Sequence, residues 1–355
     1  IGDWLTTNAR FPDGLEELAG RIRDAGFRPG LWTAPFAVAP HSRVFREHPD
    51  WVVRDTRGRP VKAGLIMGRF GPRYYYAFDT TLTAVQEHLT ALYRELCRMG
   101  WRLLKVDFLT AASVAGVRAD PTVSRAEAYK LGFDAIRRGM AEDATLLGGI
   151  SPVLINAGLL EIQRLGPDTS FGKSTYRSWL QRLLDDHMTP GIVNNTAGSL
   201  VRTAFSDVLF SGDCDAVLTQ GITPNEARLL ATVNLLCGSS ITLGHDFRKG
   251  DFDFRLIREL DGASIGPARV LDLVEGLYPR HLLVPFRRDG TTRWFYAFVN
   301  PDDSPAAIEP RLDGLPGAPS AVDAVEWWDG RPERLQSGTP VQVPPHCARL
   351  YELKL

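Results

Sequence analysis

From Gly14 to about Val274 the chain alternates amphipathic helices with short apolar strands, and it does so six times over. Strands separated by helices lie parallel, so this rhythm confines the fold to the α/β architectures. A helix over Leu15 to Arg23 stops at Gly26 and leads to the strand Pro29-Gly30-Leu31-Trp32. Leu82 to Met99 is helical, ends at Gly100 and leads to Arg102 to Phe108. Arg125 to Met140 leads to Thr145 to Ile150, and a short strand follows at Glu161 to Leu165. Leu200 to Leu209 reads as a helix before Asp213 to Leu218, and Asn225 to Cys237 as a helix before Ser240 to Gly244.

Four acidic residues recur at one place in this rhythm: Asp107, Asp168, Asp215 and Asp246 each follow the C-terminal end of a strand. In a β/α-barrel that rim carries the active site. A TIM (β/α)8-type barrel is therefore the expected fold, with its first strands missing from this chain, since six units fall two short of closure. An open, doubly wound sheet of six strands satisfies the same pattern. After Tyr278 the helical period gives way to alternating stretches at Leu282 to Phe286, Thr292 to Val299, Ala324 to Trp328 and Cys347 to Leu353. Turn signals such as Asn300-Pro301-Asp302-Asp303 and Pro344-Pro345 separate them, as in a small antiparallel β-sandwich. The expected division is a barrel domain over residues 1 to 277 and a β-domain over residues 278 to 355.

Composition narrows the function. With 44% hydrophobic and 23% charged residues and a formal net charge of −1, the chain has no electrostatic footprint for nucleic acid and suits a small neutral substrate. Cys97, Cys214, Cys237 and Cys347 lie far apart, without metal-ligand spacing, and read as buried thiols. The seven histidines show no HxxxH or HExxH pattern, and there is no phosphate-binding Gly loop and no Gly-x-Ser-x-Gly, so neither metal nor cofactor is expected. No apolar run is long enough to span a bilayer. The chain starts without Met, and neither oligomeric state nor compartment can be read, a cytoplasmic one being slightly favoured.

Two carboxyl groups in opposite protonation states can hydrolyse a glycosidic bond, one attacking and one donating a proton. Lys105 and Asp107 are two apart on a strand and so share a face, which sets an ammonium beside the carboxylate. A structural ion pair at the barrel mouth would look the same. Gly166-Pro167 forms a tight loop that lifts Asp168 off its strand, although an Asp before Thr169 and Ser170 also suits a helix cap. Of the aromatic residues crowding the first third of the chain, Trp32 stands at a strand end, where a sugar's apolar face could pack on it.

Several segments in order resemble the melibiase-type α-galactosidases. Gly2-Asp3-Trp4 with Phe11-Pro12-Asp13-Gly14-Leu15 is similar to that family's segment before the third strand, and Gly30-Leu31-Trp32 with Arg46-Glu47-His48-Pro49-Asp50-Trp51 to its third-strand region. Leu104-Lys105-Val106-Asp107 resembles the nucleophile motif, Arg164 to Asp168 the Arg-x-x-x-Asp motif of the acid/base, Asp213-Cys214-Asp215 the seventh-strand signature and Leu243-Gly244-His245-Asp246 the eighth-strand end. The resemblance implies a retaining α-galactosidase with Asp107 as nucleophile and Asp168 as acid/base, and with Lys105, Arg164, Trp32, Asp215 and Asp246 on the sugar. It implies equally a related α-glycosidase or transglycosylase, such as an α-N-acetylgalactosaminidase or a raffinose-synthase-like enzyme, or a carbohydrate-binding relative without catalysis. The sequence departs from the family in three places. The family's upstream Asp-Asp pair has no counterpart here, its Cys-Gly-x-Pro appears as Gly149-Ile150-Ser151-Pro152, and its Glu after Gly-Leu-Trp is replaced within Thr33-Ala34-Pro35.

Overall fold

The computed structural model describes residues 1–68, 71–149, 151–169, 191–217, 222–238, 240–244, 248 and 264–355. The chain divides into two compact units, Ile1–Gln163 and Arg164–Leu355.

In the first unit β1 (Gly30–Thr33) pairs in parallel with β5 (Leu103–Val106), β5 with β6 (Thr145–Gly148), and β6 with the start of β7 (Ile162–Arg164). The expected strands are all present, the first shifted by one residue and the others trimmed at their ends. Between β1 and β5 the sequence inserts β2 (Ala37–Val38), β3 (Lys62–Gly68) and β4 (Gly71–Ala77), which form a separate antiparallel sheet in the order β2-β4-β3. This sheet was not anticipated, because Tyr74-Tyr75-Tyr76 lacks the apolar-polar alternation that marks a half-buried strand.

The helix Thr83–Arg98 buries Val85, Leu89, Leu92, Tyr93, Leu96 and Cys97, a stripe at the spacing of one helix face. The helix Arg125–Gly139 begins at a capping box in which Ser124 and Glu127 bond each other's backbone N–H groups. Thr33 and Tyr93 share a buried hydrogen bond of 2.8 Å between their hydroxyls, tying β1 to the first of these helices. The two helices come very close at Gly139, where a Cβ would lie 2.2 Å from the Thr90 carbonyl oxygen and 3.0 Å from the Arg94 nitrogen. Backbone atoms cannot swing aside. Gly139→Ala should therefore destabilise the fold by about 1–3 kcal/mol or more through overpacking, seen as a lower urea midpoint with an unchanged slope.

In the second unit β8 (Ser211–Val217) pairs in parallel with β9 (Ser240–Leu243), their register shifting between Asp213 and Ala216. The intervening helix Pro224–Cys237 has Pro at its start and a Thr223/Glu226 capping box. The helix expected at Leu200 to Leu209 instead runs Gly191–Arg202, followed by a 3₁₀ turn at Thr203–Phe205. Gly191, Asn194, Asn195, Thr196, Gly198 and Ser199 are weak helix formers that hid it, and packing overrides them. Asn195 donates its side-chain N–H to the Pro167 carbonyl at 2.6 Å.

The rest of this unit is antiparallel: β10 (Ser264–Ile265), β11 (Arg269–Val270), β12 (His281–Arg288), β13 (Thr291–Asn300), β14 (Ala306–Ile308), β15 (Ala321–Glu326), β16 (Arg331–Gln336), β17 (Val341–Val343) and β18 (Cys347–Lys354). The main sheet runs β10-β12-β13-β18-β15-β16, with β11 also on β12, and β14 pairs β17 apart from it. One face packs Leu283, Tyr296, Phe298, Val322 and Tyr351 into a core. The helix Pro224–Cys237 is fastened beside it by a Trp328 indole N–H donated to the Thr232 hydroxyl at 3.1 Å and by an Arg228–Asp329 ion pair.

All four cysteines are buried free thiols, and burial pushes that of Cys237 up to about 12. Among the described residues no helix is long and apolar enough to cross a membrane, and no three His, Cys, Asp or Glu side chains are grouped to hold a metal ion.

Candidate active site

In the first unit the site is built on Asp107. On β5, Leu104 and Val106 face the core, and the Asp107 N–H extends the ladder by donating to the Thr33 carbonyl at 2.9 Å. Phe108 then turns into the left-handed region at φ 51°, a conformation that costs a non-glycine residue of order 1–3 kcal/mol. The turn brings the Phe108 N–H to the Asp107 Oδ1 at 2.8 Å. Across the sheet the Trp32 indole N–H donates to Asp107 Oδ2 at 3.0 Å. Trp32 is 39% exposed and meets Trp4 and Phe108 edge-on, at ring distances of 5.5 and 6.0 Å. Tyr75 packs on Phe108, and its burial and the nearby Asp107 charge both raise its phenol pKa.

Lys105 stands opposite Trp32 and Leu147 in the sheet, half-buried. The ion pair expected between Lys105 and Asp107 is not among the salt bridges of the described residues. An indole N–H takes the place expected for the ammonium. Spacing alone assigned the face correctly and could not show that an aromatic side chain from the next strand reaches over it.

In the second unit the centre is Arg164, at the end of β7 and only 7% exposed. Its guanidinium reaches three carboxylates: Asp215 at 2.7 Å, Asp168 at 3.0 Å and Asp213 at 3.3 Å. Burial opposes the charge on Arg164, but Asp213, Asp215 and Asp168 outweigh it and raise the guanidinium's pKa. Asp213 is sealed, its side chain 1% exposed, whereas the Asp168 side chain is 77% exposed. Asp215, at φ 68°, takes Arg164 on one oxygen and the Thr169 N–H on the other at 2.6 Å. The loop beneath Asp168 is shaped by close approach, since a Cβ on Gly166 would sit 2.5 Å from the Asn195 carbonyl oxygen.

The chain is similar to known proteins. Residues 1–123 match the family model described as Melibiase. Over 64 residues the chain is 41% identical to α-galactosidase AgaA of Geobacillus stearothermophilus, a stretch covering 18% of this chain and 9% of that one. Over those first 123 residues the chain is similar to the melibiase family. TtGalA, an α-galactosidase of Thermus thermophilus solved with stachyose, is 35% identical with a TM-score of 0.58, over 68% of this chain and 51% of that one. In its structure with p-nitrophenyl α-D-galactopyranoside the figures are 30%, 0.61, 82% and 56%. The chain thus spans about half the length of this solved relative. A β-L-arabinopyranosidase of Geobacillus stearothermophilus, at 15% identity and a TM-score of 0.62 over 98% of this chain and 79% of that one, is similar in fold, and of its TIM-type barrel and C-terminal β-domain this chain has a parallel half-barrel sheet of six strands and antiparallel sheets.

The melibiase motifs fall as follows. Trp32, Lys105 and Asp107 lie in the first unit and Arg164, Asp168 and Asp215 in the second, while Asp246 is outside the described residues. Both oxygens of Asp215, expected on a sugar, are engaged by protein donors. Asp213 was quoted as part of a motif and not singled out. Its position on a strand next to Cys214 signals burial, and a buried carboxylate requires a cation such as Arg164. Arg164→Met should leave Asp213 buried without a counter-charge and destabilise the second unit by about 3–5 kcal/mol. Chemical denaturation measures this directly, and Arg164→Lys should recover only part of the loss, because an ammonium cannot present the planar fork.

Proposed function

We propose that the chain is the catalytic part of a retaining α-galactosidase that hydrolyses terminal α-galactosides by double displacement. The observation that carries this reading is the bonding of Asp107: a half-exposed carboxylate at the C-terminal end of a parallel strand, with one oxygen on an indole N–H and the other on a backbone N–H. Two fixed donors hold it in one orientation, as a nucleophile at an anomeric carbon requires. Support comes from the family match over residues 1–123, which includes Trp32, Lys105 and Asp107, and from a relative solved with an α-galactoside.

In this reading Asp107 attacks the anomeric carbon while Asp168 protonates the departing oxygen. Asp168 then removes a proton from the water that releases the sugar. Asp213 and Asp215 already outnumber the single charge of Arg164, so the buried cation keeps carboxylate partners whatever exposed Asp168 does. In this reading Trp32 and Lys105, beside Asp107 in the first unit, contact the sugar, and a retaining mechanism needs the two catalytic carboxyls about 5–5.5 Å apart. The ligand is a small neutral carbohydrate, and the reaction needs neither metal nor organic cofactor.

Hydrolysis of p-nitrophenyl α-D-galactopyranoside tests the assignment. Asp107→Asn should lower kcat by roughly 10³-fold or more with the fold intact, since the exchange removes charge and almost no volume. Near wild-type turnover would remove Asp107 from the role. Asp168→Ala should cost about 10²–10⁴-fold on galactosides with poor leaving groups, much less on nitrophenyl ones, and recover rate with azide. An equal loss on both substrate types, unmoved by azide, would contradict acid/base work by Asp168.

A further inference from the structure

Gly149 follows β6 directly and is buried beside Asp107, its N–H donated to the Val106 carbonyl at 2.7 Å. Its φ lies outside the left-handed region, so the backbone there would accept any residue. Space decides instead. A Cβ on Gly149 would lie 2.4 Å from Asp107 Oδ1, 2.6 Å from its Cγ and 3.1 Å from its Oδ2. All three carboxyl atoms therefore rest against the face of one glycine. The same two oxygens accept the Trp32 indole N–H and the Phe108 N–H. An aspartate has only two side-chain torsions, so bonds to both oxygens and a backbone against its face leave it one place to stand.

From this geometry we propose that Gly149 is a positioning residue for the nucleophile, its missing side chain being the space in which the Asp107 carboxylate is aimed. The proposal rests on the assignment of Asp107 given above. With this chain's backbone and donors as they stand, a Cβ at 149 pushes the carboxylate away from them, because ordinary contact begins near 3.4 Å and the oxygen would have to retreat by about 1 Å. Phe108, whose N–H is one donor, cannot follow without leaving its strained turn.

Gly149→Ala tests this in two ways. On p-nitrophenyl α-D-galactopyranoside its kcat should fall by up to about 10²-fold, with a much smaller change in KM. Combined with Trp32→Phe the losses should fall short of multiplying, because both changes release the same carboxylate. Independently of activity, Gly149→Ala should lower the thermal midpoint by roughly 2–4 °C or more, and the same change in an Asp107→Ala background should lower it far less, the clashing group being gone. If Gly149→Ala alone does not fold, the Asp107→Ala/Gly149→Ala chain should. Equal destabilisation in both backgrounds, or full kcat in Gly149→Ala, would overturn the proposal. A wild-type chain without α-galactosidase turnover would defeat the functional reading, and the stability comparison would still judge Gly149.

Discussion

Asp107 is fixed by its bond to the Trp32 indole, and much of the first unit serves to make that bond possible. The indole must stand on a strand adjacent to the carboxylate, which the parallel pairing of β1 with β5 supplies. Trp32 is steadied edge-on by Trp4 and Phe108, and β1 itself is tied to the helix behind it through Thr33 and Tyr93. The left-handed turn at Phe108 adds a second donor at a conformational cost that nothing about the fold alone would require. Strain of that kind accumulates where a side chain has to be aimed.

The second unit solves a different problem with charge. One buried guanidinium gathers three carboxylates of graded exposure, from sealed Asp213 through Asp215 to open Asp168. The inner two already outnumber the cation's single charge, and the outer one meets it from the exposed side. Such a cluster adds little net stability, since desolvation consumes most of the Coulombic gain, but removing its centre is costly. Its value lies in orientation.

How much of this was legible varied with the kind of signal. The helices Thr83–Arg98 and Arg125–Gly139 and the strands beside them announce themselves through a buried stripe and clear stops. The helix Gly191–Arg202 does not, because Asn195, Gly198 and Ser199 are chosen for the Gly166-Pro167 loop they touch rather than for helix propensity. Asp107, Asp168 and Arg164 were singled out through motif order. The partner of Asp107 was misjudged, because two-residue spacing points to Lys105 while the bond comes from another strand. Gly149 stood out in the sequence as a departure from the family, and only the position of the carboxylate against it gives that departure a physical meaning.

The most direct measurement of the central claim is covalent trapping. Incubation with a fluorinated α-galactosyl substrate whose second step is slow should leave one sugar on the protein, and proteolysis with mass spectrometry should locate it on the peptide that contains Asp107. A sugar attached to a different residue, or turnover by a reaction that inverts the anomeric centre, would contradict the account.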